Sequence, residues 1–193
     1  MEESKNKVYS NSGNTDVINL VPITASYILD IGCGDGANAR LLKKKGCIID
    51  GITLSENEKE IAKLAMRNVY IHDAESGLPI TGEGIYDVVI CSHVLEHICY
   101  PGLLMKDIYR VLKANGILVV ALPNLMHYQS RWKLIQGDFK YQSAGIWDYT
   151  HFRWYTFTSA QELLIQHKFK IEVATVTGVL PFNSMFKKFY PKM

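Results

Sequence analysis

Short apolar runs recur along the first two thirds of the chain, each bounded by glycine, proline, asparagine or charged residues. Tyr27–Ile31, Cys47–Thr53, Val69–His72, Ile85–Cys91 and Ile117–Leu122 are rich in isoleucine and valine, the pattern of strands. Ile85–Cys91 shows almost no polar alternation, which predicts a strand covered on both faces of its sheet. Between these runs the apolar spacing turns helical: Ala37–Lys45 closing at Gly46, Glu56–Arg67, and Pro101–Leu112 stopped by Asn115-Gly116. Asp16–Pro22 reads as a short helix ended by its proline. This alternation predicts an α/β fold with a doubly wound, mainly parallel sheet. Ligands of such sheets bind at the carboxyl ends of the strands. The unusual residues fall there: Asp30, Thr53, Asp73, Ser92 and Pro123-Asn124.

Beyond Asn124 the alternation breaks. Leu125–Gln136 is expected to be helical, and Gly137–Phe157 reads as a loop crowded with aromatic residues. A helix over Ser159–Lys168, capped by Thr158, and a last strand over Phe169–Thr177 follow. Little after Thr177 alternates like a strand, so a seventh strand is expected to be missing or displaced. The whole chain reads as one domain, with residues 1–15 mobile, 125–157 an acceptor or lid insertion, and 178–193 a tail. That tail mixes apolar and basic residues, which suits a membrane surface or a partner subunit; the plainer reading packs it on its own domain.

The turn after the first run, Leu29-Asp-Ile-Gly-Cys-Gly-Asp-Gly36, raises the first chemical question. Glycines here let the backbone approach a ligand closely, or they serve only a tight turn. Their spacing is not the G-x-G-x-x-G of a dinucleotide site. Asp30 would repel a pyrophosphate and attract a cation, which turns the reading from NAD towards a positively charged cofactor.

Composition narrows the class. With 193 residues, 48% hydrophobic and 21% charged, the chain has the balance of a globular protein. A net charge of +2 lacks the basic excess of a phosphate-backbone binder. The cysteines, Cys33, Cys47, Cys91 and Cys99, form no C-x-x-C pair, so neither a zinc knuckle nor a disulfide framework is indicated. Met1-Glu-Glu-Ser-Lys-Asn is polar and no apolar run approaches membrane-spanning length, so a cytoplasmic protein with no signal peptide and no membrane span is expected.

Three motifs then carry a family resemblance over roughly residues 15–177. Leu29–Gly36 resembles the first motif of class I S-adenosylmethionine-dependent methyltransferases, Tyr86-Asp-Val-Val-Ile-Cys-Ser-His-Val-Leu-Glu-His97 their fourth-strand motif, and Arg110-Val-Leu-Lys-Ala-Asn-Gly116 their R-V-L-K-P-G-G. The resemblance implies S-adenosylmethionine as cofactor. Asp30 and the backbone of Gly32 and Gly34 would hold its amino-acid end. Asp73 would accept from the adenine amino group, unless it merely caps a turn, and the Ala74 N–H would meet a ring nitrogen. Cys33, Leu54, Ser92 and His97 would line the same site. Relatives usually place an acid after the second strand to grip the ribose diol. Here Gly51-Ile-Thr-Leu-Ser55 stands instead, similar to the cyclopropane-synthase branch. Thr53 would bond a hydroxyl, with Glu56 or Glu58 compensating. His93 and His97, four apart, invite a metal reading; without a nearby third ligand no metal is expected, and both are taken as structural.

The acceptor side is carried by Asp148-Tyr-Thr-His-Phe-Arg-Trp-Tyr-Thr-Phe-Thr158. It resembles a segment of methyltransferases associated with surface polysaccharides and small metabolites, and of MetW-like proteins. Leu122-Pro-Asn124 lacks the N-P-P-Y of adenine methyltransferases, which argues against nucleic acid as acceptor. His151 is then the candidate general base, Asp148 its orienting carboxylate, and His127 the alternative base. The plainer reading makes the segment a structural lid. Two functions remain: methylation, chiefly at oxygen, of a small polar metabolite or sugar, and a non-catalytic S-adenosylmethionine-binding partner of a metabolic enzyme. Either leaves room for a homodimer.

Overall fold

The computed structural model describes residues 12–177. Its centre is a parallel sheet of β1 (Tyr27–Ile31), β2 (Ile48–Thr53), β3 (Asn68–Ile71), β4 (Tyr86–Ser92) and β5 (Leu112–Ala121), in the order β3-β2-β1-β4-β5. The chain winds outward from β1 to β3 and then returns to β4 on the other side of β1. The crevice at this reversal, outside the carboxyl ends of β1 and β4, is where a doubly wound sheet takes its ligands.

Strand alternation explains the two cores. Ile28, Ile49, Val88 and Ile90 face one side, where they pack with Val17 and Ile18 of α1 (Thr15–Asn19), Ala39 and Leu42 of α2 (Ala37–Lys43), and Ala62 of α3 (Glu56–Ala62). Leu29, Ile31, Val89 and Cys91 face the other side. There α4 (Gly102–Val111) buries Leu104, Met105, Ile108 and Val111, one helical stripe.

The ends of several elements differ from the sequence expectation, each for a local reason. The chain extends directly from α4 into β5 at Leu112, and the strand pairs Tyr86 with Leu112 but Val88 with Ile117. Lys113–Gly116 therefore forms a bulge, with Asn115 at φ 63°, so Asn115-Gly116 turns within a strand and does not stop a helix. The bulge is held by Lys113 on Asp87 (2.7 Å), whose other oxygen accepts from the Ser26 and Tyr27 amides at the start of β1. The helix expected over Leu125–Gln136 begins only at Tyr128 (α5, Tyr128–Ile135), because Asn124 and Leu125 bond Tyr155. The last helix, α6 (Phe157–Gln166), starts two residues early. Thr156, not Thr158, caps it in a reciprocal box with Ser159. No strand forms at Phe169–Thr177, where Val173 and Val176 are exposed; alternation without a neighbouring edge makes no ladder. Of the leading segment, Asn14 caps α1 and its amide donates to Asn38, so residues 12–15 are tied into the fold. Residues 1–11 and the tail 178–193 lie outside the described residues.

One buried ion pair braces the sheet. The Asp50 carboxylate on β2 accepts from Arg67, Asn68 and the Tyr86 hydroxyl, joining the strands on either side of β1. Burial would raise its pKa, but the Arg67 and Tyr86 hydrogen bonds outweigh that and hold it below the usual carboxylate range. Asp50→Ala strands Arg67 and Tyr86 without their partner. Urea denaturation should show a loss of about 3 kcal/mol, the scale for breaking a buried pair.

Candidate functional site

The loop after β1 is shaped by its glycines. Gly32, Gly34 and Gly36 all have positive φ, and a Cβ on Gly32 would fall 2.5 Å from Val94 Cγ2. The Cys33 amide donates to the Ile52 carbonyl at 2.9 Å, tying the loop to β2. Asp35 is occupied, its carboxylate gripped by both 3.1 Å bonds from Arg40. Asp30 is different. It is 1% exposed, and neither carboxylate oxygen has a hydrogen-bond partner. Burial pushes its pKa up to about 7, although the neighbouring Asn38 side chain favours the ionised form. A cation delivered to this carboxylate would offset the cost of its burial.

At the end of β2, the Thr53 hydroxyl donates a short hydrogen bond to Glu58, and both residues are buried. Ser55 caps α3 and accepts from the Glu58 amide, which turns that side chain back under the strand end. Burial and the charges of Asp30 and Glu58 together push the Cys33 thiol up. The two carboxylates therefore flank Cys33. Leu54 stands exposed beside them. At the end of β3, Asp73 Oδ1 accepts from the Glu75 amide and caps the short 3-10 turn Ala74–Ser76, the plainer of the two roles expected for it. Asp73 remains exposed next to buried Ala74. With Gly32, Leu54 and Asp73 all exposed, the carboxyl edge from β1 to β3 is an open surface. Two clefts among the described residues, about 370 and 180 Å³, lie elsewhere: one against α6 and one at the β5 bulge.

The end of β4 holds a second cluster. Half-buried Ser92 leads to His93, at φ 57°, and then to the 3-10 turn Leu95–His97. The Glu96 carbonyl accepts from the Phe152 and Arg153 amides (2.9 and 3.1 Å) and so latches the acceptor segment to this turn. As a result His97 and His151 lie edge to face, with ring centroids 4.7 Å apart. His97, expected beside the cofactor, is tied to the acceptor segment: its Nδ1 meets the Thr150 carbonyl and hydroxyl at 3.2 and 3.1 Å. That hydroxyl donates to Asp148, so it accepts from His97. Burial is the main cause lowering the His97 pKa. His151 donates from Nδ1 to the Ile146 carbonyl at 3.1 Å. In the neutral tautomer that these bonds select, each ring carries its lone pair on Nε2.

The expected Asp148–His151 hydrogen bond does not form. Asp148 accepts instead from the Thr150 amide and hydroxyl, and the Ile146 carbonyl orients His151. Aspartate two residues before a threonine makes its own local turn, which competes with the more distant imidazole. His127 lies against Tyr128, ring centroids 4.6 Å apart and the planes tilted by 47°, and has no hydrogen bond or ring contact with His151. Much of the aromatic crowd packs on itself: Phe139 meets Tyr141, Trp147 and Trp154 at 4.6 to 5.8 Å. Two acids were not singled out from the sequence for what they do here. Glu58 was one of two alternatives, and Glu96, 1% exposed, had no role at all. Its signal was the spacing His93-x-x-Glu96-His97. Glu96 Oε1 bonds His93 at 3.3 Å, which raises the His93 pKa, while Oε2 has no partner. Glu96, His97 and His151 each bring one donor atom within 4.8 Å of the others, the arrangement of a metal-ligand triad.

Comparison with known proteins places this geometry. A family model described as a methyltransferase domain matches residues 12–172. Ubiquinone biosynthesis O-methyltransferase from Histophilus somni is 29% identical over 53% of this chain and 47% of its own length. The same-named protein from Bartonella tribocorum is 26% identical over 72% of this chain and 59% of its own. The chain thus spans about half the length of the curated relatives it matches. Among solved structures, a SAM-dependent methyltransferase from Archaeoglobus fulgidus superimposes with TM-score 0.64 at 24% identity, covering 81% of this chain and 67% of that one. One from Methanosarcina mazei gives 0.63 at 19%, covering 84% and 88%. These likenesses carry the fold.

The raised Asp30 pKa makes a signed prediction. Folding favours protonated Asp30, so its contribution to stability is intact below pH ~4 and is lost as pH rises through about 7. S-adenosylmethionine brings an ammonium that favours the ionised form, so its affinity should rise across the same window. Asp30→Asn should be more thermostable than the wild type without ligand at pH 8, yet should lose S-adenosylmethionine binding. Calorimetry and melting curves at pH 5.5, 7 and 8.5 read both effects.

Proposed function

Since the chain belongs to the methyltransferase-domain family, we propose that it uses S-adenosylmethionine to methylate an oxygen of a small polar metabolite or sugar. The observation that carries this reading is the latch between Glu96 and residues 152 and 153, which sets the His151 imidazole beside the turn that ends β4. A hydroxyl brought there meets the His151 Nε2, which can assist loss of its proton in the neutral tautomer that the Ile146 carbonyl selects. The curated relatives are named for O-methylation, which supports oxygen as the acceptor atom. Their own substrate is not carried over, since only about half of their length is shared. In this reading the protein is cytoplasmic, and exposed Tyr141, Tyr149 and Phe152 offer surfaces on which a sugar ring would stack.

Asp30 and the backbone of Gly32 and Gly34 hold the amino-acid end of the cofactor in this proposal. Glu58 takes the ribose diol, positioned by Thr53. The cofactor supplies an electrophilic methyl on sulfur; the protein's part is to bring the acceptor oxygen in line with it and keep it deprotonated.

Two substitutions test the reading. His151→Ala should bind S-adenosylmethionine as the wild type does, while turnover on a hydroxyl acceptor falls roughly a hundred- to ten-thousand-fold. Glu58→Gln should weaken S-adenosylmethionine by on the order of tenfold, as a charge-assisted bond becomes a neutral one. Full cofactor binding without turnover on any nucleotide sugar or small hydroxy metabolite would instead favour the regulatory, MetW-like reading.

A further inference from the structure

We propose that Glu96, His97 and His151 bind a divalent transition-metal cation of the zinc type, which activates the acceptor hydroxyl; the second half of this statement rests on the methyl-transfer reading. Three independent features converge. Both imidazoles spend Nδ1–H on backbone or hydroxyl oxygens, His97 on Thr150 and His151 on Ile146, which leaves each Nε2 as a fixed lone pair. Metal-binding histidines are held by such outer partners, which set ring orientation and tautomer. Glu96 is 1% exposed, and its Oε2 has no hydrogen-bond partner. A buried carboxylate oxygen in that state lacks a cation or a donor. The three donor atoms already lie within 4.8 Å of one another. Ligands of a tetrahedral zinc ion stand about 3.3 Å apart, given zinc–ligand bonds of about 2.0–2.1 Å, so modest side-chain rotations would close the site.

The backbone supports the same conclusion. Glu96 and His97 are adjacent in the turn that leaves β4, and His151 is drawn to them by the two amides on the Glu96 carbonyl. Ligands from two distant segments are thus gathered on one short scaffold. Two nitrogens and one carboxylate suit zinc and its transition-metal neighbours; magnesium and calcium prefer oxygen-only shells. Three protein ligands leave a fourth position open, as catalytic sites do. With the cation bound, His151 Nε2 is a ligand in place of the base, and an acceptor hydroxyl entering the open position would ionise more readily and release its proton to solvent. The oxygen–methyl bond then forms as the sulfur–methyl bond breaks, and S-adenosylhomocysteine leaves as a neutral thioether.

The test is a titration of the full chain, stripped with a chelator and dialysed. Calorimetry with Zn²⁺ should give one equivalent, and Co²⁺ should give the visible absorption of a four-coordinate ion. His97→Ala and His151→Ala should each weaken Zn²⁺ more than a hundredfold, Glu96→Gln more than tenfold, and His167→Ala not at all. S-adenosylmethionine binding, measured on every sample, shows that each variant is folded. Binding of zinc that is absent, or equal in wild type and both histidine variants, overturns the site. Full turnover by the stripped protein overturns the metal's role and leaves His151 as a simple base in an intact methyltransferase. Loss of S-adenosylmethionine binding in the wild type, with zinc binding intact, would overturn the methyl-transfer reading and support the metal site.

Discussion

The cost of burying carboxylate oxygens organises the working edge of this protein. Asp30, Glu58 and Glu96 are 1%, 4% and 1% exposed, and all stand at or just beyond the carboxyl ends of the central strands. A charge removed from water must be paired, protonated or supplied with a ligand. Asp50, equally buried, is paired within the protein and serves stability alone. Asp30 and Glu96 keep oxygens with no hydrogen-bond partner, a deficit that a cation, a donor or protonation relieves. The fold bears that deficit at the crevice between β1 and β4, where it is of use.

The same constraint explains why the acceptor segment is shaped as it is. A segment leaving β5 and running outward to Trp147 would ordinarily be free to drift. The Glu96 carbonyl collects two of its amides, Arg153 donates back to the Cys99 carbonyl at 2.8 Å, and buried Tyr155 packs into the core beside Leu95. Asp148, Thr150 and His97 form a relay of hydrogen bonds across the seam. Thr150 holds Asp148 in a low-pKa state: its hydrogen bonds outweigh the effect of burial. What reads as a lid in the sequence is bonded to the turn that follows β4. Movement of one would move the other.

The sheet was legible because its signal is local and repeated. Runs such as Ile85–Cys91 can be nothing but covered strand, and each glycine of the Gly32–Gly36 turn sits at a left-handed φ that the sequence pattern required. Asp30 was legible for the same reason: an acid in an apolar run is conspicuous. The bulge at Lys113–Gly116 was not, because the same Asn-Gly pair ends helices and turns strands, and only the register against Tyr86 and Val88 decides. The Phe169–Thr177 alternation misled because period two shows which residues share a face, without showing that any strand lies alongside. Among the candidate site residues, Asp148 and His151 were singled out for their chemistry, but the hydrogen bond expected between them does not form. Short-range bonds to Thr150 won over a plausible long-range one. Glu96 was hidden because its companion His151 comes from a distant segment, as the Thr150 contact with His97 comes from 53 residues downstream.

The exchange at the end of β2 shows how the site tolerates a departure from its family. An acid placed at the strand end is carried by backbone and points where the strand points. With Thr53 there, the acid moves to Glu58, one turn into α3, and a longer side chain must find its place. The Ser55 cap fixes the start of that helix, and the Thr53 hydroxyl fixes the carboxylate, so the freedom introduced by the longer arm is removed again. Threonine is then no weakened substitute for an acid. It is the positioning half of a two-residue acceptor. Its hydroxyl donates to the carboxylate and so fixes the direction in which that group faces.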